Sequence, residues 1–205
     1  MTAEGGILTA DAILDAAEDV LRRYGPGKAT VLDVSKALGV SHGSVYRHFG
    51  SKLALRDAVA ERWLARVSDP LALIVAEAGP AAPRLRSWLE HLATTKQRMA
   101  RADPELFATF HQITAESRVV VRTHVDHLAG QVAQIIADGV ASGEFAQVDP
   151  VRVGRAFLQA TTRFHHPAHA ADWAEPASSE ERAEVWSLLA AGLLARGAVT
   201  DNKDE

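Results

Sequence analysis

Between Thr30 and Lys52 the chain gathers side chains that donate hydrogen bonds or carry positive charge: Thr30, Ser41, His42, Ser44, Tyr46, Arg47, His48 and Lys52. Hydroxyls, imidazoles, a guanidinium and an ammonium are the groups that bind phosphate oxygens and base edges. Over Thr30–Arg56 the charge is +3, from Lys36, Arg47, Lys52 and Arg56 against Asp33 alone. The whole chain points the other way, with 22 Lys and Arg against 26 Asp and Glu and a net charge of −4. Residues 1–66 hold 9 basic and 8 acidic side chains, and residues 67–205 hold 13 and 18. The acidity therefore belongs to the body, and a basic patch on an acidic body is compatible with a nucleic-acid partner. A fluctuation in a solvated surface would give the same count, so the elements that carry the patch have to decide.

Those elements read as helices, and no alternating strand pattern stands out. Thr9 can cap a first helix with Ile13, Ala16, Ala17, Val20, Leu21 and Tyr24 on one stripe. Asp11 and Asp15 near its start and Arg22 and Arg23 near its end suit the helix dipole, and Gly25-Pro26-Gly27 stops it. A short second helix, Val31–Leu38, has Thr30 as cap, Val34, Ala37 and Leu38 facing inward, and Gly39 after it. Ser41 then caps a third helix, His42–Phe49, with Val45 and Phe49 on the buried side. Gly50-Ser51 breaks and recaps the chain for a fourth helix from Lys52 to about Val67 or beyond.

The remainder reads as longer helices with proline-marked joints. Gly79–Pro83 is a linker, and Arg84–Ala100 buries Leu85, Trp88, Leu89, Leu92 and Met99. Asp103-Pro104 opens a helix carrying Leu106, Phe107, Phe110 and Ile113, and Ser117 opens one to about Ala141 with Val121, Leu128, Val132 and Ile135 on one face. Asp149-Pro150 precedes Val151–His165. Ser178 with Glu181 makes a capping box for a last helix to about Arg196, and Asp201–Glu205 forms a charged tail.

Composition narrows the classes. At 205 residues, 47% hydrophobic and 23% charged, the chain is neither generally disordered nor a disulfide scaffold. With no Cys, thiol catalysis and Cys-ligated zinc are excluded, and a reducing compartment is expected. No apolar run reaches the roughly 18 residues of a membrane span. Met1–Leu8 has Glu4 and no Lys or Arg, which does not fit a signal peptide.

Two short helices joined by a tight Gly-containing turn, inside a three-helix unit, outline a helix-turn-helix. In such units the second helix enters the major groove with its N-terminal residues toward the bases. Gly43 adds no side chain and permits close approach. Lys52 sits where free N–H groups at a helix start also favour a phosphate. The run TVLDVSKALGVSHGSVYRHFGSKLAL, residues 30–55, resembles the signature of the tetracycline-repressor (TetR) family. Gly39-Val40-Ser41, Gly43, Val45-Tyr46, His48-Phe49 and Ser51-Lys52 are in that register.

The resemblance is specific over about residues 8–62; beyond them only length and helical character match. It implies an all-α protein, with a homeodomain-like helix-turn-helix unit at 1–62 and a helical effector-binding and dimerisation domain at 63–205. Tyr46, His48, Lys52 and Thr30 would contact phosphates, and Ser41, His42, Ser44 and Arg47 would face bases or nearby phosphates. Leu32 stands where many members carry Arg, which removes one contact or replaces it with packing. The leading arm lacks basic residues, so no arm contact is expected.

In the C-terminal body, Trp88, Phe107, Phe110, His111, His124, Phe164 and His165 are the candidate effector residues, with Phe157 among the same aromatics. His124 lies on an otherwise apolar stripe, where it is either a satisfied core histidine or a polar anchor in an apolar pocket. His165, His166 and His169 raise a metal site, but Pro167 interrupts the spacing and no fixed carboxylate partner is visible. No metal and no cofactor are expected. Ala156, Phe157, Ala160 and Phe164 of one helix, with Val185, Trp186, Leu189, Ala190, Ala191, Gly192 and Leu193 of the last, form either a dimer seam or monomer core.

The expectation is a cytoplasmic, homodimeric regulator of transcription, without enzymatic activity. It would be a repressor released from a palindromic duplex by a small effector. Two other readings remain: a helical His-rich metal-dependent enzyme using His165, His169 and Glu116, and a helical protein-interaction module.

Overall fold

Helix formation follows the caps. The computed structural model describes residues 7–174 and 178–194, and among them the regular elements are helical. Thr9 accepts the Ala12 N–H at 3.1 Å and starts α1, Ala10–Tyr24. The positive φ of Gly25 ends it, with the Gly25 N–H on the Leu21 carbonyl. α2 (Val31–Leu38), α3 (His42–His48) and α4 (Lys52–Ala76) follow, then α5 (Ala81–Ala102), α6 (Pro104–Glu116) and α7 (Arg118–Ala141). α8 (Pro150–Ala160), α9 (Thr162–His165), two 3-10 turns at Pro167–His169 and Asp172–Ala174, and α10 (Ser178–Leu193) complete the order. The all-α class is as expected. No helix among the described residues is long and apolar enough to cross a membrane.

By compactness the chain falls into two units. The first is the described part of Met1–Val67 with Arg98–His124, and the second the described part of Ser68–Gln97 with Val125–Glu205. A division at residue 62 does not anticipate that 98–124 packs with the N-terminal helices. α4, α5 and α7 each contribute residues to both units.

In the first unit α1 packs on α2 and α6. Ile13, Ala17, Val20 and Leu21 are buried, joined by Leu14, which lies outside the expected stripe. Buried Glu18 ties α1 to α4, accepting from Arg62 Nε at 2.9 Å and from Arg66 at 2.9 Å. Asp15 accepts from Arg62 at 2.8 Å. Trp63 stacks on Phe110 with centroids 4.0 Å apart and meets Phe107 edge-on at 6.5 Å.

In the second unit α5 presents Leu85, Trp88, Leu89 and Leu92, all 0% exposed, each burial stabilising by roughly 1.5–3 kcal/mol. Trp88 Nε1 donates to Gln131 at 3.0 Å, and Gln131 Nε2 donates to the Ser68 carbonyl at 3.0 Å. α8 lies against α7 through Gly154, where a Cβ would sit 2.9 Å from the Ala129 carbonyl oxygen and 3.1 Å from the Ala133 nitrogen. Phe157 and Trp186 meet edge-on at 6.5 Å inside this unit. Of the residues weighed between seam and core, Phe157, Phe164, Trp186 and Leu193 are core, Val185, Leu189 and Ala190 are half-buried, and Ala156, Ala160, Ala191 and Gly192 are exposed.

Several boundaries differ from expectation. α5 begins at Ala81 instead of Arg84, because Glu144 accepts from the Ala81 and Ala82 N–H groups and caps the first turn from a distance. Pro83 then sits in that first turn, where its missing N–H costs little. The single helix expected over Val151–His165 breaks at Thr161, whose hydroxyl bonds the Phe157 carbonyl. Pro167 cannot donate to the Arg163 carbonyl four residues back; Trp173 Nε1 does so instead, at 2.8 Å. The Ala168 N–H goes to His166 Nδ1, and Gln97 Nε2 reaches the Phe164 carbonyl at 3.4 Å. Ser178 is the first helical residue of α10 instead of its cap. Tyr24 and Ala37 are exposed, and Leu38, Phe49, Met99 and Val121 are half-buried, since each lies at the edge of its apolar stripe. Met1–Gly6, Arg196 and the tail Asp201–Glu205 lie outside the described residues.

Candidate nucleic-acid interface

The tight link between α2 and α3 comes from local chemistry. Thr30 and Asp33 form a reciprocal capping box: Thr30 Oγ1 accepts from the Asp33 N–H at 3.2 Å, and Asp33 Oδ2 accepts from the Thr30 N–H at 3.1 Å. Gly39 then takes a left-handed conformation at φ 66°, which turns the chain sharply, and the Val40 N–H bonds the Ser35 carbonyl at 3.0 Å. Ser41 accepts from the Ser44 N–H at 3.1 Å and starts α3 two residues after Gly39. Val45, 1% exposed, anchors α3 from beneath. Ser51 accepts from the Ala54 N–H at 3.0 Å and starts α4 with Lys52 as its first residue.

On this frame Ser41, His42, Arg47, His48, Lys52 and Thr30 are exposed, and Ser44 and Tyr46 are half-buried. They are ordered among themselves. The Ser41 and Ser44 hydroxyls lie 2.8 Å apart and Arg47 donates to Ser44 at 3.0 Å, while the His42 and Tyr46 rings meet edge-on at 4.7 Å. Each link spans three or four residues, so breaking one to meet an outside acceptor disturbs nothing distant. Thr30 differs: its hydroxyl donates to Asp33 at 2.6 Å. That bond, ahead of the Thr30 N–H contact and the Lys36 charge, holds the Asp33 carboxyl below its ordinary value. A phosphate at Thr30 must therefore draw the hydroxyl away from a carboxylate. Leu32 is 49% exposed, so it is not a packing replacement for the missing Arg.

The expected effector residues fall in both units. In the first, Phe107 and Phe110 are buried around Trp63, an aromatic the sequence reading passed over although Val59, Trp63 and Val67 follow helical spacing. His111 and His124 are half-buried there. In the second, Trp88 and Phe164 are buried, and His165 Nε2 lies 3.2 Å from the Thr161 hydroxyl. No three His, Asp or Glu side chains gather as a metal site among the described residues. His166 accepts from its own turn, and His169 Nδ1 lies 3.7 Å from Asp172.

Lys96 was also passed over. It follows Leu92 by four on the apolar stripe of α5 and is only 9% exposed. No acidic partner faces it among the described residues, and burial pushes its ammonium down to about 8. A lysine inside a Leu-lined stripe was the available signal.

Two family models match the chain. One, described as bacterial regulatory proteins of the tetR family, covers residues 13–59, and one described as a tetracyclin repressor-like C-terminal domain covers residues 81–186. Among curated relatives, the uncharacterized HTH-type transcriptional regulator Rv1255c of Mycobacterium tuberculosis is 36% identical over 103 residues, 50% of this chain and 49% of that one. The HTH-type transcriptional repressor Rv3405c of the same organism is 42% identical over 52 residues, 25% of this chain and 28% of the relative. The chain thus spans about half the length, or less, of these relatives. A TetR transcription regulator from Haloarcula marismortui shares the fold with a TM-score of 0.69 at 20% identity, over 91% of this chain and 98% of that one. Thermus thermophilus FadR, solved with lauroyl-CoA, does so with a TM-score of 0.62 at 23% identity, over 93% and 98%.

Proposed function

This chain belongs to the TetR family of DNA-binding transcriptional regulators, and on that premise we propose that it works in the cytoplasm as a homodimeric repressor, released from a palindromic operator by a small effector. The observation that carries the DNA contact is α3 itself. Its polar side chains are exposed or half-buried, and among the described residues their hydrogen bonds stay within the helix and its cap, while Val45 and the Ser41 cap fix the helix in place. Ser41, His42, Ser44 and Arg47 read bases or nearby phosphates; Tyr46, His48, Lys52 and Thr30 hold the backbone. A +3 patch gives weak non-specific binding alone, so two patches in one dimer are needed for useful affinity.

Pairing is supported by the outer faces of α8 and α10. Ala156 and Ala160, four apart, and Leu188 and Gly192, four apart, are all exposed, and Leu188 is 75% so. Small residues permit close helix approach between two copies. A two-fold axis then sets the α3 helices roughly 34–36 Å apart or more, and the operator is palindromic. Trp88, Phe107, Phe110, His111, His124, Phe164 and His165 are proposed to serve effector binding. The effector acts by preferring the dimer geometry that does not fit DNA. The lauroyl-CoA complex of the Thermus protein supports a search that begins with acylated ligands.

Selection of bound duplexes from a random pool tests this reading. Recovery of an inverted repeat bound by two copies supports it; a pool with no enriched sequence, or a monomer by light scattering at micromolar concentration, refutes it.

A further inference from the structure

The first unit holds a half-open cavity of about 200 Å³ between α1, α2, α4 and α6. Its walls are apolar: Ala17 and Val20 of α1, Val34 of α2, Leu55 and Val59 of α4 and Ile113 of α6, all buried. A cavity of roughly 150 Å³ is enough for benzene, so this one takes a ring or short chain with a small head group. The charged part of the lining is cationic in balance, with Lys52 and Arg56 against Glu116. Arg56 pairs with Glu116, which leaves the exposed Lys52 as the surplus charge. Arg56 Nε is buried and has no acceptor among the described residues, so its desolvation is not offset there. Thr30 also lines the cavity.

We propose that this cavity binds a small apolar molecule with a carboxylate head, and that its occupation opposes DNA binding. The walls take the apolar body, while the head group supplies a counter-charge for Lys52 and, once the Arg56 side chain turns toward it, the acceptor that its Nε lacks. The second half rests on Thr30 and Lys52 being phosphate contacts, as proposed above. A Lys52 paired with a carboxylate is no longer free for the DNA backbone, so each ligand weakens the other by the same factor. The site lies in the first unit, and none of the residues proposed above for effector binding lines it.

Benzoate is the probe, with benzyl alcohol as its neutral counterpart. Methyl NMR of the full chain should show benzoate shifting Val20, Val34, Val59 and Ile113 with saturation, and benzyl alcohol binding several-fold more weakly. Ala17→Leu and Val59→Phe, which fill the cavity from different helices, should abolish those shifts; either suffices if the other fails to fold. DNA affinity, measured with sodium chloride matching the ionic strength of benzoate, should fall at least about fivefold in the wild type and stay unchanged in the filled variant. Absent or non-saturating shifts at the cavity methyls overturn the site. Saturable shifts with unaltered DNA affinity overturn the coupling. A chain that binds no DNA without benzoate refutes the proposed function, while the methyl shifts still decide the cavity.

Discussion

Around α3, polar side chains are exposed or half-buried and bonded to neighbours three residues away, as in Thr30 with Asp33 and Ser41 with Ser44. In the second unit they are buried and bonded to partners far along the chain. Trp88 reaches Gln131 across 43 residues, Arg84 reaches Asp138 across 54, and Arg182 reaches Glu90 across 92. The first arrangement is suited to contact with an outside ligand, because each local bond can be exchanged for a phosphate without loosening the core. The second holds a body together, because each bond joins separate helices and cannot be given up without leaving a buried group unpaired. Lys96 is the exception in the second unit, a buried cation with no acidic partner among the described residues.

Truncating the body should cost most. Trp88→Ala removes a side chain that is 0% exposed and takes the donor from Gln131 Oε1, so denaturant unfolding should show a loss of about 3–5 kcal/mol. A loss below about 1 kcal/mol would mean that the body is not held in this way.

Lys96→Met sharpens the exception. The ammonium is pushed down to about 8 from an ordinary 10.5. The unfolded chain therefore binds more protons than the folded one between those values. Stability should rise with pH across that window, by about 3 kcal/mol from this group. In Lys96→Met that rise should vanish, and the protein should be more stable at neutral pH. An unchanged pH profile would show that Lys96 is already neutralised.

Lys52→Ala should leave stability alone and weaken binding to all duplexes, lowering the salt slope by about one unit. His42→Ala should instead change which sequence is preferred. Ser41→Ala, which removes the α3 cap, should cost only about 1 kcal/mol in thermal or denaturant unfolding. A larger loss would mean that α3 depends on the rest of the unit more than its local bonds suggest.

The same contrast explains what the sequence made legible. Thr9, Thr30, Ser41, Asp103 and Asp149 act within four residues of themselves, so their caps and the helices they start were readable in order. The capping of α5 by Glu144 and the capture of the Arg163 carbonyl by Trp173 depend on residues brought near only by folding. For that reason the start of α5 and the way the chain is held past Pro167 were not readable. The exposed row on α3 was legible because Val45 alone points inward from a helix seven residues long. The cavity was not, since its walls come from α1, α2, α4 and α6.

The central claim is that α3 reads DNA sequence as part of a dimer. Fluorescence anisotropy with the selected palindromic duplex and a scrambled duplex of equal length, at several salt concentrations, tests it most directly. The account predicts two protomers per palindrome and an affinity for it at least about a thousandfold above that for the scrambled duplex at physiological salt. Equal affinities for the two duplexes at every salt concentration would contradict it.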